Sequence, residues 1–350
     1  MKIKNKFLAA IGLSTMLLLT ACGEGTEGDT GTGSKDETTT VETTSYPITI
    51  NNFTKPEAGS DWSAKEQVFE KAPERIMANT KPAAELLLNL GLGDRIVGVS
   101  ADFGAPDPNV EEAYAKLNIL SDAYVSKEVA LGTDPDLVFG RGGLFDNADW
   151  GVGTVDSLNE MGVLTYVLES SVTGATYESV YKDIENLGGI FSVQEQAQVF
   201  AAQLKERQQI IEKNLESIQE NKTFAYLHTT DPNDIVVYAA SAESFLNDAF
   251  QMIKLENVFG DVAANASISI EMLIEANPDV LILPKWDGNA EEDIEKIREA
   301  IYNNPKLSSM KAIQNKQIYA VDYNYLFGYG YNTIDGMELL AKEMYPDLFK

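Results

Sequence analysis

The sequence predicts an α/β protein: two doubly wound lobes with mostly parallel sheets, joined by one long α-helix. Three observations predict it. First, short apolar runs alternate with helical patterns, and most of the helices are bounded by Gly or Pro, the order of repeated βαβ units. Second, residues 192–221 contain neither Gly nor Pro. Within them Val193, Ala197, Phe200, Leu204, Ile211, Leu215 and Ile218 recur at steps of three, four or seven, one apolar stripe on a helix. Ser192 with Glu195 three places on reads as a capping box. At ~1.5 Å per residue the rod is roughly 40 Å long. Third, a pattern recurs on either side of the rod. Glu128, six residues, then Pro135-Asp136 and an apolar strand is matched by Glu271, six residues, then Pro278-Asp279 and another strand.

The N-terminal residues 1–21 read as a targeting segment. Lys2, Lys4 and Lys6 precede an apolar run from 7 to 19, too short to span a bilayer comfortably. Leu19-Thr20-Ala21-Cys22 resembles a bacterial lipobox, which implies cleavage before Cys22 and lipidation of that residue. Cys22 is the only cysteine, so no disulfide framework or Cys-rich metal site is expected. Residues 22–45 are rich in Gly, Thr, Ser and acids and read as a flexible tether. The formal net charge is −27, and removing residues 1–21 takes away three lysines and no acid. Nucleic acid and anionic lipid are therefore poor partners, and contact with a membrane is expected through the lipid anchor only.

The remaining chain suits two domains better than one core. The first lobe is placed at 46–190. It holds a strand at 46–52, a short strand at 75–78, and a helix at 83–90 with Pro82 in its first turn and Gly91 as its stop. Then come a strand at 94–99, a helix at 126–133, a strand at 136–140, a helix at 154–161, a strand at 163–168, and a helix at 177–187 closed by Gly188-Gly189. The connecting helix takes 191–221 and the second lobe 222–350. That lobe reads as strands at 223–228 and 234–238, helices at 244–253 and 270–276, a strand at 279–283, a helix at 292–302, a strand at 317–321, and a last helix at 333–344. A single stiff connector predicts a small rocking motion between the lobes.

Open α/β sheets bind ligands beyond the C-terminal ends of their strands. That rule selects loops carrying Lys81, Phe103, Arg141, His228, Tyr238, Lys285 and Trp286, and the run with Tyr323, Tyr325, Phe327, Tyr329 and Tyr331. The alternation from 323 to 331 fits aromatic residues on one face of an extended segment, lining a cleft, or a half-buried edge strand. Aromatic walls suit a bulky, partly apolar ligand. Lys81, Arg141, His228 and Lys285 can balance an anionic one. One histidine is too few for a zinc or manganese carrier. Haem ligation by His228, a Tyr or a Met stays open, because no spacing singles out a pair. No Gly-x-Ser-x-Gly elbow, phosphate loop or His-Glu-x-x-His is present. A surface-anchored carbohydrate-active hydrolase working through paired carboxylates is the alternative of another class. The repeated spacing of Glu128 and Glu271 reads as two docking charges for a symmetric partner, each able to meet an arginine.

Several of these features together resemble the substrate-binding lipoproteins of iron-siderophore and vitamin B12 ABC importers. They are the lipobox, Lys71-Ala72-Pro73-Glu74-Arg75-Ile76, the helix Ala84-Glu85-Leu86-Leu87 ending Leu90-Gly91-Leu92, and the two Glu-x6-Pro-Asp segments. Arg141-Gly142-Gly143 is similar to the B12-binding members. The resemblance covers the chain from about residue 48 and implies a ligand held between two lobes, no enzymatic activity and no cofactor. It implies a lipid-anchored protein on the extracytoplasmic face of the membrane, with a permease dimer and its ATPase as partners. Glu128 and Glu271 are then the permease-docking residues. A ferric siderophore is the first choice of ligand, with cobalamin or haem as the alternatives.

Overall fold

The computed structural model describes residues 44–57, 59, 61–231, 233–285 and 291–350. The targeting segment, Cys22, most of the tether and Trp286 lie outside the described residues.

The chain opens with an antiparallel hairpin, β1 (Ile48–Thr54) and β2 (Ser63–Phe69). The first α/β series follows: β3 (Ile76–Ala78), α1 (Lys81–Asn89), β4 (Ile96–Val99), α2 (Glu111–Tyr114), α3 (Lys127–Leu131), β5 (Leu137–Gly140), α4 (Val155–Glu160), β6 (Leu164–Val167) and α5 (Glu178–Phe191). Helix α6 (Gln194–Asn214) leads to the second series. This runs β7 (Lys222–Leu227), β8 (Val237–Tyr238), α7 (Ser244–Met252), β9 (Leu255–Asn257), α8 (Ile270–Ala276), β10 (Val280–Lys285), α9 (Glu291–Tyr302), α10 (Lys311–Gln314), β11 (Ile318–Asp322), α11 (Tyr323–Phe327) and α12 (Thr333–Met344).

Local chemistry sets many of these boundaries. Thr80, Thr154 and Ser269 each accept a backbone N–H three residues on, starting α1, α4 and α8. Strands β3 and β5 are buried along their whole length, which is why they read as unbroken apolar runs rather than alternating ones. The edge of β6 is covered by the hairpin. Asn52 donates to the Val167 carbonyl at 2.9 Å and accepts the Val167 N–H at 2.8 Å, so this edge offers no free ladder there.

The two lobes share one topology. The first sheet has the order β4-β3-β5-β6, all parallel. In the second, β9-β7-β10-β11 repeats that order, also parallel, and the short antiparallel β8 occupies the remaining part of the β7 edge. The two Glu-x6-Pro-Asp segments therefore precede equivalent strands, β5 and β10. One face of each sheet packs into a shared apolar core that also takes in α5, α6, α7 and α12, while the other face has a core of its own.

The connector differs from its sequence reading in three ways. Helix α5 does not stop at Gly188-Gly189 but continues to Phe191. A Cβ on Gly188 would lie 2.7 Å from the Ala197 Cβ, so this glycine permits α5 and α6 to touch. Ser192 forms no capping box. It takes the left-handed conformation (φ 57°) that ends α5, and Val193 precedes α6 without a side-chain cap. The α6 rod ends at Asn214, giving ~32 Å at ~1.5 Å per residue. It is braced on both sides. Its buried stripe is Ala197, Phe200, Leu204 and Ile211, and Arg207 pairs with Asp335 at 2.6 Å and Glu338 at 2.7 Å on α12.

Candidate ligand cleft

In the first lobe the chain leaves β3 for a neighbour on one side and returns to β5 on the other. The crevice of such a sheet lies beyond the C-terminal ends of those two strands. Asn79, after β3, and Arg141, after β5, meet there. The Asn79 amide donates to the Arg141 carbonyl at 3.0 Å and accepts the Arg141 N–H at 2.8 Å. Gly140 has φ 138°, and a Cβ on it would fall inside the Asn79 amide, so glycine is required. A Cβ on Gly142 would lie 2.8 Å from the Trp62 ring, and the Ser171 hydroxyl accepts the Gly142 N–H at 2.7 Å. Arg141 thus stands on a backbone braced from three sides.

The Arg141 guanidinium lies 4.7 Å over the Tyr329 ring and donates to the Tyr124 hydroxyl at 3.4 Å. Tyr124 packs edge-on to Phe103 at 5.5 Å, and Phe103 meets Tyr323 of the second lobe at 5.8 Å. Phe327 lies at the centre of the aromatic wall on that side, within 6.5 Å of Tyr226, His228, Tyr238, Tyr323 and Tyr329. His228 stacks on Tyr238 at 4.5 Å, and burial holds its pKa below the usual imidazole value. Glu243 accepts the Tyr238 hydroxyl on one oxygen at 2.6 Å and the Tyr329 hydroxyl on the other at 2.7 Å.

Of these groups Arg141, Glu243 and Tyr329 border a cleft of about 200 Å³, which Ser170, Ser171 and Phe245 also line. The lobes are hydrogen-bonded on both flanks of it. On one side the Tyr177 N–H donates to Asp248 at 2.8 Å and the Gly174 N–H to Ser244 at 2.9 Å. On the other the Ala105 N–H donates to Asp322 at 2.9 Å and the Tyr331 hydroxyl to Asp107 at 2.7 Å. This is a closed arrangement. Larger hollows of about 840 and 520 Å³ lie elsewhere, against α5 and α6 and beside β11. Neither lies at a switch point of a sheet.

The structure brings Phe103, Arg141, His228, Tyr238, Tyr323 and Phe327 together. Lys81 is buried and committed inside its own lobe, 3.0 Å from Asp102 and 3.1 Å from the Gly104 carbonyl. Lys285 lines the hollow beside β11 with Arg298 and Lys316, away from the cleft. Tyr325 turns to the acids Asp335, Asp322, Glu85 and Asp107, and burial raises its pKa to about 12. The reason is local: residues 323–327 form a helix, so alternate residues do not share a face as they would in a strand. The strand-end rule also selects the loop 169–171, which brings Ser170 to the cleft, but sequence reasoning missed Trp62, Tyr124 and Glu243. They lie on a hairpin, on a loop and just before a helix, where periodicity carries no signal.

Glu128 and Glu271 are both fully exposed, in the first turns of α3 and α8. Each carboxylate is held below the usual range by its own backbone N–H and by the serine two places earlier, Ser126 or Ser269. Because α3 and α8 run back to feed β5 and β10, both helix N-termini lie at the end of the sheets where the cleft opens. Exposed Val129 and Met272 follow the two glutamates. Among the described residues no group of His, Cys, Asp and Glu could hold a metal ion, and no helix is long and apolar enough to cross a membrane.

The sequence model of the periplasmic binding proteins matches residues 76–325. The chain belongs to this family. It is a substrate-binding protein of an ABC importer, not an enzyme. An uncharacterised ABC transporter substrate-binding lipoprotein of Bacillus subtilis is 24% identical over the full length of both chains. A cobalamin-binding protein of Halobacterium salinarum is 23% identical over 68% of this chain and 58% of its own. Among solved structures, a periplasmic binding protein of Veillonella parvula has a TM-score of 0.74 at 23% identity, covering 86% of this chain and 99% of that one. The Fe3+-hydroxamate transport protein of Saccharomonospora viridis has a TM-score of 0.65 at 23% identity, with the same coverage. At these identities the two structures speak for the fold.

Proposed function

We propose that this protein is anchored through a lipid on Cys22, captures an intact ferric siderophore between its lobes, and delivers it to an ABC permease. The observation that carries the reading is Arg141, braced at the switch point and surrounded by Tyr124, Tyr323 and Tyr329. A half-buried cation among phenols suits an anionic ligand with apolar faces. One histidine is too few for a carrier of the bare metal ion, which favours iron arriving already chelated. The cleft of about 200 Å³ is smaller than the ~300–1,000 Å³ typical of ligand sites. Binding therefore requires the Phe103–Tyr323 contact and the flanking hydrogen bonds to yield.

The alternative ligand is a corrinoid, favoured by the aromatic wall around Phe327 and by the relative named a cobalamin-binding protein. Glu128 and Glu271 would engage one arginine each on a two-fold permease, on a face that straddles the cleft mouth.

The test is a panel of ferric hydroxamate, catecholate and citrate complexes, cobalamin and haemin, added while tryptophan fluorescence is followed. Trp62 lies beneath Gly142 and reports on the Arg141 loop. A saturable change with one class and no turnover supports the reading. A panel in which nothing alters fluorescence or melting temperature refutes it.

A further inference from the structure

Asp183 is a buried carboxyl on α5 that faces the loop after β6. Its Oδ1 accepts the Tyr166 hydroxyl at 2.9 Å and the Glu169 N–H at 2.8 Å. Its Oδ2 accepts the Ser170 N–H at 3.1 Å and lies 2.9 Å from Ser170 Oγ. The same Ser170 Oγ lies 2.6 Å from the carbonyl oxygen of Tyr329, in the other lobe. A serine hydroxyl has one proton, and a carbonyl has none to give. If Ser170 gives its proton to Tyr329, the contact with Asp183 needs a proton from the carboxyl.

We propose that Asp183 is a positioning residue for the cleft: as the neutral acid it donates to Ser170, which frees the Ser170 proton to hold Tyr329 across the lobes. When Asp183 loses its proton, Ser170 turns to the carboxylate and the bond between lobes is lost. Tyr329 carries Arg141 over its ring and donates to Glu243, so its backbone position bears on both charges of the cleft. The inference rests on the cleft being the ligand site.

The surroundings favour the neutral form. The groups that touch Asp183 are a phenol, two amides and a hydroxyl, with no cation among them. The charged groups on the adjoining elements are Glu169, with its carboxylate 2.7 Å from Lys182, and across the cleft Arg141 and Glu243. Tyr166 stays protonated, its pKa raised by burial and by Asp183. Burial pushes Asp183 up to about 7, against its four hydrogen bonds. The latch is therefore made below neutral pH and lost above it.

Glu85 titrates in the same range at the other flank, so the test is made in a Glu85→Gln background. Backbone hydrogen exchange of residues 323–332 is measured on the unliganded full chain at about pH 6 and about pH 8.5, corrected for intrinsic rates. We expect exchange to be about fivefold faster at the higher pH, the effect of losing one hydrogen bond. Asp183→Asn should abolish the step and exchange slowly throughout, while Ser170→Ala should exchange fast throughout. Infrared spectra should show a carboxylic-acid C=O band that is lost on raising the pH and is absent from Asp183→Asn. A step that persists in Asp183→Asn, or no acid band in the parent, overturns the proposal. If Asp183→Asn does not fold, the parent's infrared titration and Ser170→Ala decide alone. No ligand is involved, so failure here leaves the binding-protein reading standing.

Discussion

Replacing Asn79 by Ala tests the brace that places Arg141. Asn79 is fully buried, and its amide satisfies both the N–H and the carbonyl of Arg141, at 2.8 and 3.0 Å. Truncation leaves two backbone groups beside a half-buried residue without those partners. Each such loss costs about 1–3 kcal/mol when water cannot replace it, and the cleft admits some water, so the sum is about 2–4 kcal/mol. In a chain of this size that lowers Tm by about 3–6 °C. Urea unfolding followed by circular dichroism should show the loss at unchanged slope. Affinity for the chelate chosen by the panel should fall at least about tenfold, because the Arg141 backbone is no longer fixed. A stability change below about 0.5 kcal/mol with unchanged affinity would refute the role given to Asn79.

Three further outcomes follow from the same structure. Glu128→Ala with Glu271→Ala should leave stability and chelate affinity unchanged and abolish uptake by cells; normal uptake ends the docking assignment. Burial pushes the Glu85 pKa from 4.5 to about 7. A raised carboxyl contributes stability that is complete below about pH 4 and lost as pH rises through about 7, by up to about 3 kcal/mol. Glu85→Gln should flatten that part of the stability profile, as read by urea titrations at several pH values, and an unchanged slope refutes it. Because α6 is clamped to α12 through Arg207, solution scattering with and without chelate should show only a small change in radius of gyration. A large hinge closure would contradict the rigid connector.

The two-lobe plan was legible because parallel strands buried on both faces write themselves as unbroken apolar runs, and because the Glu-x6-Pro-Asp spacing marks equivalent strands. Stops were less legible. Gly188 looks like a helix terminator in sequence, yet it serves the contact with Ala197, which only the tertiary structure reveals. Ser192 and Glu195 have capping-box spacing, but the tight turn from α5 puts Ser192 in a left-handed conformation and overrides it. In the cleft, the strand-end rule found Arg141, Phe103 and His228. It also selected Lys81, whose charge is taken by Asp102, because a pairing across 21 residues leaves no local trace. The alternating aromatics after β11 suggested a strand, whereas Asp322 caps a short helix there and divides Tyr325 from Phe327. Glu243 became visible only when the loops of both lobes met.

The most direct test of the central claim is a crystal structure with the chelate that the panel selects. The account predicts the ligand between the lobes, against Arg141, Tyr124 and Tyr323, with the Phe103–Tyr323 contact parted. A ligand bound in the hollow beside β11 or against α5 and α6, with Arg141 untouched, would contradict it.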